Sequence, residues 1–224
     1  MLVLFDLDGT LVDSAPDLHA ALVALCAEEG RPAPTPEATR RVVSLGSRAL
    51  LACALGTLPE DPEAYEALRR RFLARYEATA HRRTVWMDGI PELLQILDAR
   101  GDDWGIVTNK PRDLTIRVLE RLLRPELPKP RTVVAGDSLT RRKPDPAPLL
   151  HALREAGARP TQSLYVGDAE ADMTAARGAH LRAYVALWGY LGEDPDPAAW
   201  GADGLLEHPR DLLNVEALKA NDER

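Results

Sequence analysis

Two aspartates near the N-terminus have the types and the spacing that could hold a divalent metal ion. The stretch 5–13 reads Phe-Asp-Leu-Asp-Gly-Thr-Leu-Val-Asp, so Asp6 and Asp8 directly follow a short apolar run. Alternation along an extended chain places the two carboxylates on the same side, where they repel each other. A divalent cation that prefers oxygen ligands, such as Mg²⁺, would offset this repulsion. The complete string favours a metal site over the alternative, a strand that merely ends in an Asp-Gly turn.

A second polar motif contains Thr108 and Asn109, which stand between an apolar run and Pro111. A hydroxyl at the end of a strand can donate a hydrogen bond to an anion. Either residue can instead cap the helix that begins after the proline. The sequence leaves both interpretations open.

Two charged motifs follow further along the chain. Lys143 is the last of three consecutive cations before a helix, which suits an anion site but also a solvated lysine. Asp168 ends the apolar run 164–166 after a glycine, and Asp172 lies four residues later on the opening turn of a helix. Acids in a first turn also favour the helix dipole. For a metal, Asp168 is the better candidate and Asp172 the outer one.

The elements that position these motifs are predicted from hydrophobic periodicity. Strands are predicted over five short apolar runs, at 2–5, 104–108, 132–135, 164–166 and 182–187. Helices are predicted between them at 91–100, 112–123, 147–156 and 169–177. A glycine closes three of these helices: Gly101 the first, Gly157 the third and Gly178 the fourth. This alternation predicts an α/β fold with a doubly wound parallel sheet. Each polar motif ends a predicted strand, so we expect all four to meet at one edge of the sheet.

A helical insert interrupts this pattern after the first strand. Residues 14–83 contain no strand candidate, and Asp61 before a proline predicts the start of a helix that runs to about Ala80. An insert at this point lies over the end of the strand, where such sheets bind ligands. We therefore predict an α/β core, 1–13 and 84–224, and a helical cap, 14–83.

Composition excludes several classes of protein. The chain has 224 residues, a net charge of −7 and no basic tract, which argues against nucleic-acid binding. No apolar run is long enough to span a membrane. The N-terminus lacks a basic leader, and Cys26 and Cys53 are too few for a disulfide scaffold, so we expect a cytoplasmic protein. Of 28 lysine and arginine residues only four are lysines, which draws attention to Lys143. The oligomeric state stays open between monomer and homodimer.

The four motifs in this order resemble the phosphatases of the haloacid dehalogenase superfamily, and the insert resembles the smaller cap type of that superfamily. The stretch 136–149 is similar to phosphoglycolate phosphatases, and the segments 43–49 and 200–203 are similar to N-acetylmuramic acid 6-phosphate phosphatases. The resemblance implies a Mg²⁺-dependent phosphomonoesterase that works through an aspartyl-phosphate. The expected substrate is 2-phosphoglycolate, with N-acetylmuramic acid 6-phosphate as the alternative. A sugar phosphomutase and a non-catalytic phosphometabolite-binding protein are more distant alternatives.

The resemblance also implies roles for the motif residues. Asp6 is the nucleophile and Asp8 the general acid and base. Mg²⁺ is held by Asp6, the Asp8 carbonyl and Asp168, with Asp172 as a direct or an outer ligand. The transferred phosphoryl group and the substrate are contacted by Thr108, Asn109 and Lys143.

Substrate choice is expected to rest with the cap. Arg48 follows a glycine and a serine in a break between helical stretches, and an arginine there can bind a carboxylate of the substrate bidentately. An ordinary surface arginine is the alternative. Other residues receive weaker predictions: Arg40 and Arg41 are lesser candidates for this role, the run 69–71 is a solvated helix face, and Trp188, Tyr190 and Trp200 serve packing.

Overall fold

The computed structural model describes residues 1–79, 82–192, 195–215 and 218, so that Ala80 and Lys219 lie outside the described residues. The strands are β1 (Leu2–Phe5), β2 (Val12–Asp13), β3 (Val85–Trp86), β4 (Asp103–Val107), β5 (Val133–Val134), β6 (Ser163–Gly167), β7 (Arg182–Ala186) and β8 (Gly204–Leu206). The helices are α1 (Ala15–Glu28), α2 (Pro36–Val42), α3 (Gly46–Leu55), α4 (Pro62–Thr79), α5 (Ile90–Ala99), α6 (Arg112–Leu122), α7 (Ala147–Ala156) and α8 (Glu170–Gly178). Within these residues no helix combines the length and the apolar character that a membrane crossing needs.

A six-stranded parallel sheet forms the centre of the molecule, in the order β5-β4-β1-β6-β7-β8. All four residues of β1 are buried, because both faces of the sheet are covered. Val3 and Phe5 pack on one face with helices α5 and α6, while Leu2 and Leu4 pack on the other with α7 and α8. This alternation confirms the predicted doubly wound α/β fold.

The order of the strands reverses beside β1. The chain passes from β1 to β4 and β5 on one side, then returns to β6, β7 and β8 on the other. The crevice at such a reversal, outside the carboxyl ends of the strands, is where open α/β sheets bind ligands. Asp6 directly follows β1, and Asp168 directly follows β6. Both residues therefore lie beside this crevice.

Helices α1–α4 form the insert, and its two connections to the sheet are tied together. Strands β2 and β3 pair antiparallel, with Val12 opposite Trp86. The buried carboxylate of Asp17, at the start of α1, accepts hydrogen bonds from the main-chain N–H groups of Arg83 and Thr84. The first and last residues of the insert are thus held side by side at the sheet.

Some local expectations are corrected. The structure adds strands β2, β3 and β8, which have two or three residues each and lie outside the apolar runs used to predict strands. Gly178 does not close α8 in a left-handed conformation; the positive φ of 58° falls at His180. A Cβ at Gly178 would lie 3.1 Å from Pro146, so this glycine allows close packing instead. The predicted start of α4 is confirmed, since Asp61 accepts a hydrogen bond from the main-chain N–H of Ala64.

Candidate active site

Three buried carboxylates meet at the carboxyl ends of β1 and β6. Asp6, Asp168 and Asp172 each offer an oxygen atom, and these atoms all lie within 4.8 Å of one another. Asp6 follows β1, Asp168 follows β6, and Asp172 lies in the first turn of α8. The structure therefore brings together three acids that come from two separate motifs of the sequence.

Lys143 lies against these carboxylates and is itself buried. Its Nζ is 2.9 Å from Oδ1 of Asp6 and 2.7 Å from Oδ1 of Asp172, and it donates to the Tyr165 hydroxyl at 2.7 Å. Burial alone lowers the pKa of Lys143, but the carboxylates of Asp172 and Asp6 outweigh it and raise the pKa above its usual value. The ammonium therefore stays charged beside Asp6, and the alternative of a solvated lysine is wrong.

Asp172 is held by groups other than a metal. Its Oδ1 accepts hydrogen bonds from Lys143 and from the Tyr165 hydroxyl, and its Oδ2 accepts one from the main-chain N–H of Ala169. Asp168 is held by hydrogen bonds as well, from the Thr10 and Ser44 hydroxyls and from the main-chain N–H of Tyr190. The place of Asp172 as a direct or an outer metal ligand therefore stays a prediction.

Asp8 points away from the three clustered carboxylates. Its oxygens lie 2.9 and 3.1 Å from Nζ of Lys110, and its Oδ1 accepts a hydrogen bond of 2.5 Å from the Ser14 hydroxyl. Lys110 in turn donates to the hydroxyl of Tyr76 on helix α4. The Asp8 side chain is thus separated from the metal candidates, although only one residue stands between it and Asp6 in sequence.

Thr108 and Asn109 do not cap helix α6, contrary to the alternative that the sequence left open. The N–H of Arg112 is accepted by the Asp137 carboxylate at 2.9 Å instead. The Asn109 side chain exchanges two hydrogen bonds with the main chain of Lys143, at 2.9 and 3.1 Å. Thr108 is buried and lines the cavity at the site. Asn109 therefore fixes the loop that carries Lys143.

Asp168 is enclosed by main chain and by the insert. A Cβ at Gly9, whose φ is +87°, would lie 2.1 Å from Asp168 Oδ2, and a Cβ at Gly189 would lie 2.3 Å from Asp168 Cβ. Oδ2 accepts hydrogen bonds of 2.7 Å from the Ser44 hydroxyl and from the main-chain N–H of Tyr190. Since Ser44 belongs to a short 3₁₀ turn between α2 and α3, the insert directly contacts a candidate metal ligand.

Tyr190 does more than pack. Its hydroxyl donates to Asp13 in β2 at 2.5 Å and accepts from the main-chain N–H groups of Ser14 and Ala15. Arg40 of helix α2 pairs with Asp13 at 2.8 Å and lies 4.7 Å above the Tyr190 ring. Arg40 is therefore engaged at the connection between sheet and insert. It is not one of the residues that line the cavity at the site.

A cavity of about 340 Å³ lies between the carboxylates and the insert. Arg48 and Arg69 reach it from helices α3 and α4, and Arg142 reaches it from the loop before α7. Arg48 lies in the first turn of α3 and not in a break between helices, and it stacks on the Tyr65 ring at 5.0 Å. Arg69 donates to the Ser47 hydroxyl, so it is not simply part of a solvated face. Three arginines thus line the cavity.

The electrostatics of the cluster suit a hard cation. Burial raises the pKa of Asp6 from 3.8 to about 6, although the neighbouring Lys143 ammonium lowers it. Burial, with the added charges of Asp6 and Asp172, raises the pKa of Asp168 to about 7. Carboxylate oxygens are the ligands that Mg²⁺ prefers, and a cation would relieve the cost of burying these anions together. The residues present therefore fit a divalent metal.

The sequence did not identify several residues of the site. Lys110 and Tyr76 contact the Asp8 side of the site, and Ser44 and Tyr190 contact Asp168. The one available signal was the scarcity of lysine, which singles out Lys110 as well as Lys143. The other residues carry no motif, because their roles arise from contacts across the fold.

Known proteins share this sequence and this fold. The family model for haloacid dehalogenase-like hydrolases matches residues 3–186. A phosphoglycolate phosphatase of Xanthomonas campestris pv. campestris is 47% identical over 96% of each chain. An N-acetylmuramic acid 6-phosphate phosphatase of Pseudomonas aeruginosa is 41% identical over 95% of this chain and 93% of its own. The crystal structure of a predicted phosphoglycolate phosphatase from Haemophilus somnus superposes with a TM-score of 0.82, at 27% identity, over 95% of this chain and 96% of its own. The chain therefore belongs to the haloacid dehalogenase-like hydrolase family and is a phosphatase.

Proposed function

We propose that the protein hydrolyses a small phosphate monoester through an aspartyl-phosphate on Asp6. The observation that carries this proposal is the position of Asp6 at the strand reversal, 2.9 Å from Lys143 and grouped with Asp168. A carboxylate at this point, next to a buried cation, is suited to attack a dianionic phosphate. The helical insert, residues 14–83, acts as the cap over this site.

Mg²⁺ is the proposed cofactor, held by Asp6, Asp168 and the main-chain carbonyl of Asp8, with Asp172 as an outer residue. When bound, the cation would screen the repulsion between the Asp6 carboxylate and the phosphate. The Asp8 carboxylate is turned to Lys110 and Ser14 and so is kept apart from the metal ligands, which suits it to proton transfer.

The chain's own groups then have distinct roles. An oxygen of Asp6 attacks phosphorus while the ester oxygen leaves, and Asp8 gives that oxygen a proton. Lys143 and the Thr108 hydroxyl stabilise negative charge on the phosphoryl oxygens. Asp8 then accepts a proton from the water that attacks the aspartyl-phosphate, which releases inorganic phosphate and restores Asp6.

The proposed substrate is 2-phosphoglycolate, which combines a phosphate with a carboxylate. Support comes from Arg48 and Arg69, which line the cavity on the side of the insert and can bind a carboxylate. N-acetylmuramic acid 6-phosphate is the second candidate. A cavity of about 340 Å³ lies within the usual range for small-molecule sites and leaves room for a ligand larger than a two-carbon acid.

Phosphate release from the two substrates tests the proposal. We expect activity that requires Mg²⁺ and is lost after chelation, with a higher kcat/KM for 2-phosphoglycolate. Asp6→Asn should be inactive, and Asp8→Asn should be slower by about 10²–10⁴-fold. A higher kcat/KM for the muramic acid ester would reverse the choice of substrate. Turnover by Asp6→Asn, or full activity in excess chelator, would refute the mechanism.

A further inference from the structure

Lys110 is a second buried lysine at the site, beside Asp8. It follows Asn109 at the end of β4 and is 7% exposed. Burying an ammonium group is unfavourable unless anions and hydrogen-bond acceptors surround it. The chain otherwise favours arginine strongly over lysine. The burial of Lys110 therefore depends on the groups that contact its ammonium.

The ammonium group of Lys110 contacts Asp8 and Tyr76. Nζ lies 2.9 and 3.1 Å from the two oxygens of Asp8 and 2.5 Å from the hydroxyl of Tyr76. The two oxygens of one carboxylate are too close together for two N–H groups of an ammonium to point at them separately, so these contacts engage two of its three donors. Nζ also lies 4.5 Å from the centre of the Tyr76 ring. Lys110 also lines the cavity, so it holds Asp8 and Tyr76 directly beside the space for a substrate.

We propose that Lys110 is a positioning residue, which fixes the orientation of the Asp8 carboxylate and is itself fixed by Tyr76. The proposal rests on the proposed function, in which Asp8 transfers protons. Asp8 must be aimed first at the leaving oxygen and then at the attacking water. A carboxylate held at both oxygens by a buried cation cannot rotate toward the three clustered acids.

The link to Tyr76 extends this arrangement to the insert. Tyr76 is 2% exposed on helix α4, while Lys110 and Asp8 belong to the sheet side of the site. Burial raises the pKa of Tyr76 to about 12, although the Lys110 charge lowers it, so the phenol keeps its proton. The orientation of Asp8 consequently depends on α4 being seated over the site.

A double-mutant cycle tests the positioning role, with p-nitrophenyl phosphate and 2-phosphoglycolate as probes. Lys110→Met should lower kcat by about 10–100-fold, because misplacement of a catalytic group by about 1 Å costs up to about 10². KM should change by less than about threefold, since uniform substrate binding is untouched. When Asp8 is already Asn, Lys110→Met should lower kcat by a further factor of less than about three, because the effects of residues that act as a unit are not additive.

Two further variants complete the test. Lys129→Met makes the same substitution at an exposed position and should leave kcat unchanged. Tyr76→Phe keeps the ring but removes the hydroxyl, and its loss of kcat should also vanish in the Asp8→Asn background. If Lys110→Met does not fold, as judged by circular dichroism, the Tyr76→Phe cycle decides the question alone.

Opposite results would overturn the proposal. Equal losses in the wild-type and Asp8→Asn backgrounds would show that Lys110 acts independently of Asp8 and would leave the proposed function standing. A rise in KM with unchanged kcat would make Lys110 a substrate ligand. A wild-type protein that releases phosphate from neither probe nor from N-acetylmuramic acid 6-phosphate would refute the proposed function, and the positioning role with it.

Discussion

Asp6 and Asp168 are buried carboxylates whose pKa values are raised. Burial raises the pKa of Asp6 to about 6 and, with the charges of its acidic neighbours, that of Asp168 to about 7, from a usual value of 3.8. In the metal-free protein the folded state therefore binds more protons than the unfolded state between about pH 4 and pH 7. For these two groups, the free energy of unfolding falls as the pH rises through that interval and changes little above it.

Mg²⁺ should consequently stabilise the protein more at about pH 8 than at about pH 5, because at the lower pH it must displace protons from its ligands. We expect the increase in Tm on adding Mg²⁺, measured by calorimetry against a chelated sample, to be larger at the higher pH. Asp98→Asn, at an exposed position, should keep this difference, whereas Asp168→Asn should remove it. Equal increases in Tm at the two pH values would contradict the assignment of these acids.

Gly9 is the residue at which close approach matters most. A Cβ there would lie 2.1 Å from Asp168 Oδ2, and the backbone has a φ of +87°. Gly9→Ala should displace Asp168 and lower kcat by about 10² or more. Gly30→Ala is the matched control, because Gly30 also has a positive φ, +63°, but nothing lies within 4 Å of its added Cβ. Similar kcat values for the two variants would show that space around Asp168 is not limiting.

At the scale of elements, helix α4 presents one side to the cavity and another to solvent. Arg69 lines the cavity and donates to Ser47, whereas the adjacent Arg70 is exposed and does not line it. Helical geometry separates neighbouring side chains by about 100° around the axis. The run of three arginines therefore contains one candidate for substrate binding beside others on the surface.

Arg69→Ala should lower kcat/KM for 2-phosphoglycolate by about tenfold or more, as expected for losing a charged hydrogen bond of about 1.5–3 kcal/mol. The loss should be smaller for p-nitrophenyl phosphate, which has no carboxylate. Steady-state kinetics on both esters provide the measurement, with Arg70→Ala as the control. An equal loss on both esters would mean that Arg69 does not recognise the carboxylate.

At the scale of the whole molecule, one apolar cluster joins the insert to a face of the sheet. Leu22 of α1 and Phe72 of α4 belong to the same cluster as Phe5 of β1 and Ile90 of α5. The insert therefore shares a core with the sheet as well as a cavity. We expect the two parts to unfold together.

Leu22→Ala should lower the free energy of unfolding by about 2–5 kcal/mol, because it leaves a cavity at a fully buried position. Val23→Ala, at a neighbour that is 41% exposed, should change it by about 0.5 kcal/mol or less. Denaturant titration followed by circular dichroism measures both values. Two separate transitions, with only the first affected by Leu22→Ala, would show that the insert unfolds independently.

Sequence alone determined the α/β class, the positions of five of the six strands in the central sheet, and the acids of the candidate site. Buried parallel strands read as continuous apolar runs, and three of the four polar motifs lie at or just after the end of one of them, at 2–5, 104–108 and 164–166. These are local patterns, so a single chain without its fold already displays them. The convergence of Asp6 and Asp168 could be predicted because parallel strands end at a common edge.

Only the tertiary structure decided which side chains surround the acids. Asp8 meets Lys110 across 102 positions of sequence, and Asp168 meets Ser44 across 124. Such contacts depend on how the insert is seated on the sheet, and no local periodicity encodes that placement. The same reason explains why Tyr190 looked like a packing residue and Arg69 like a solvated one. Their neighbours come from distant segments, which only the folded chain brings together.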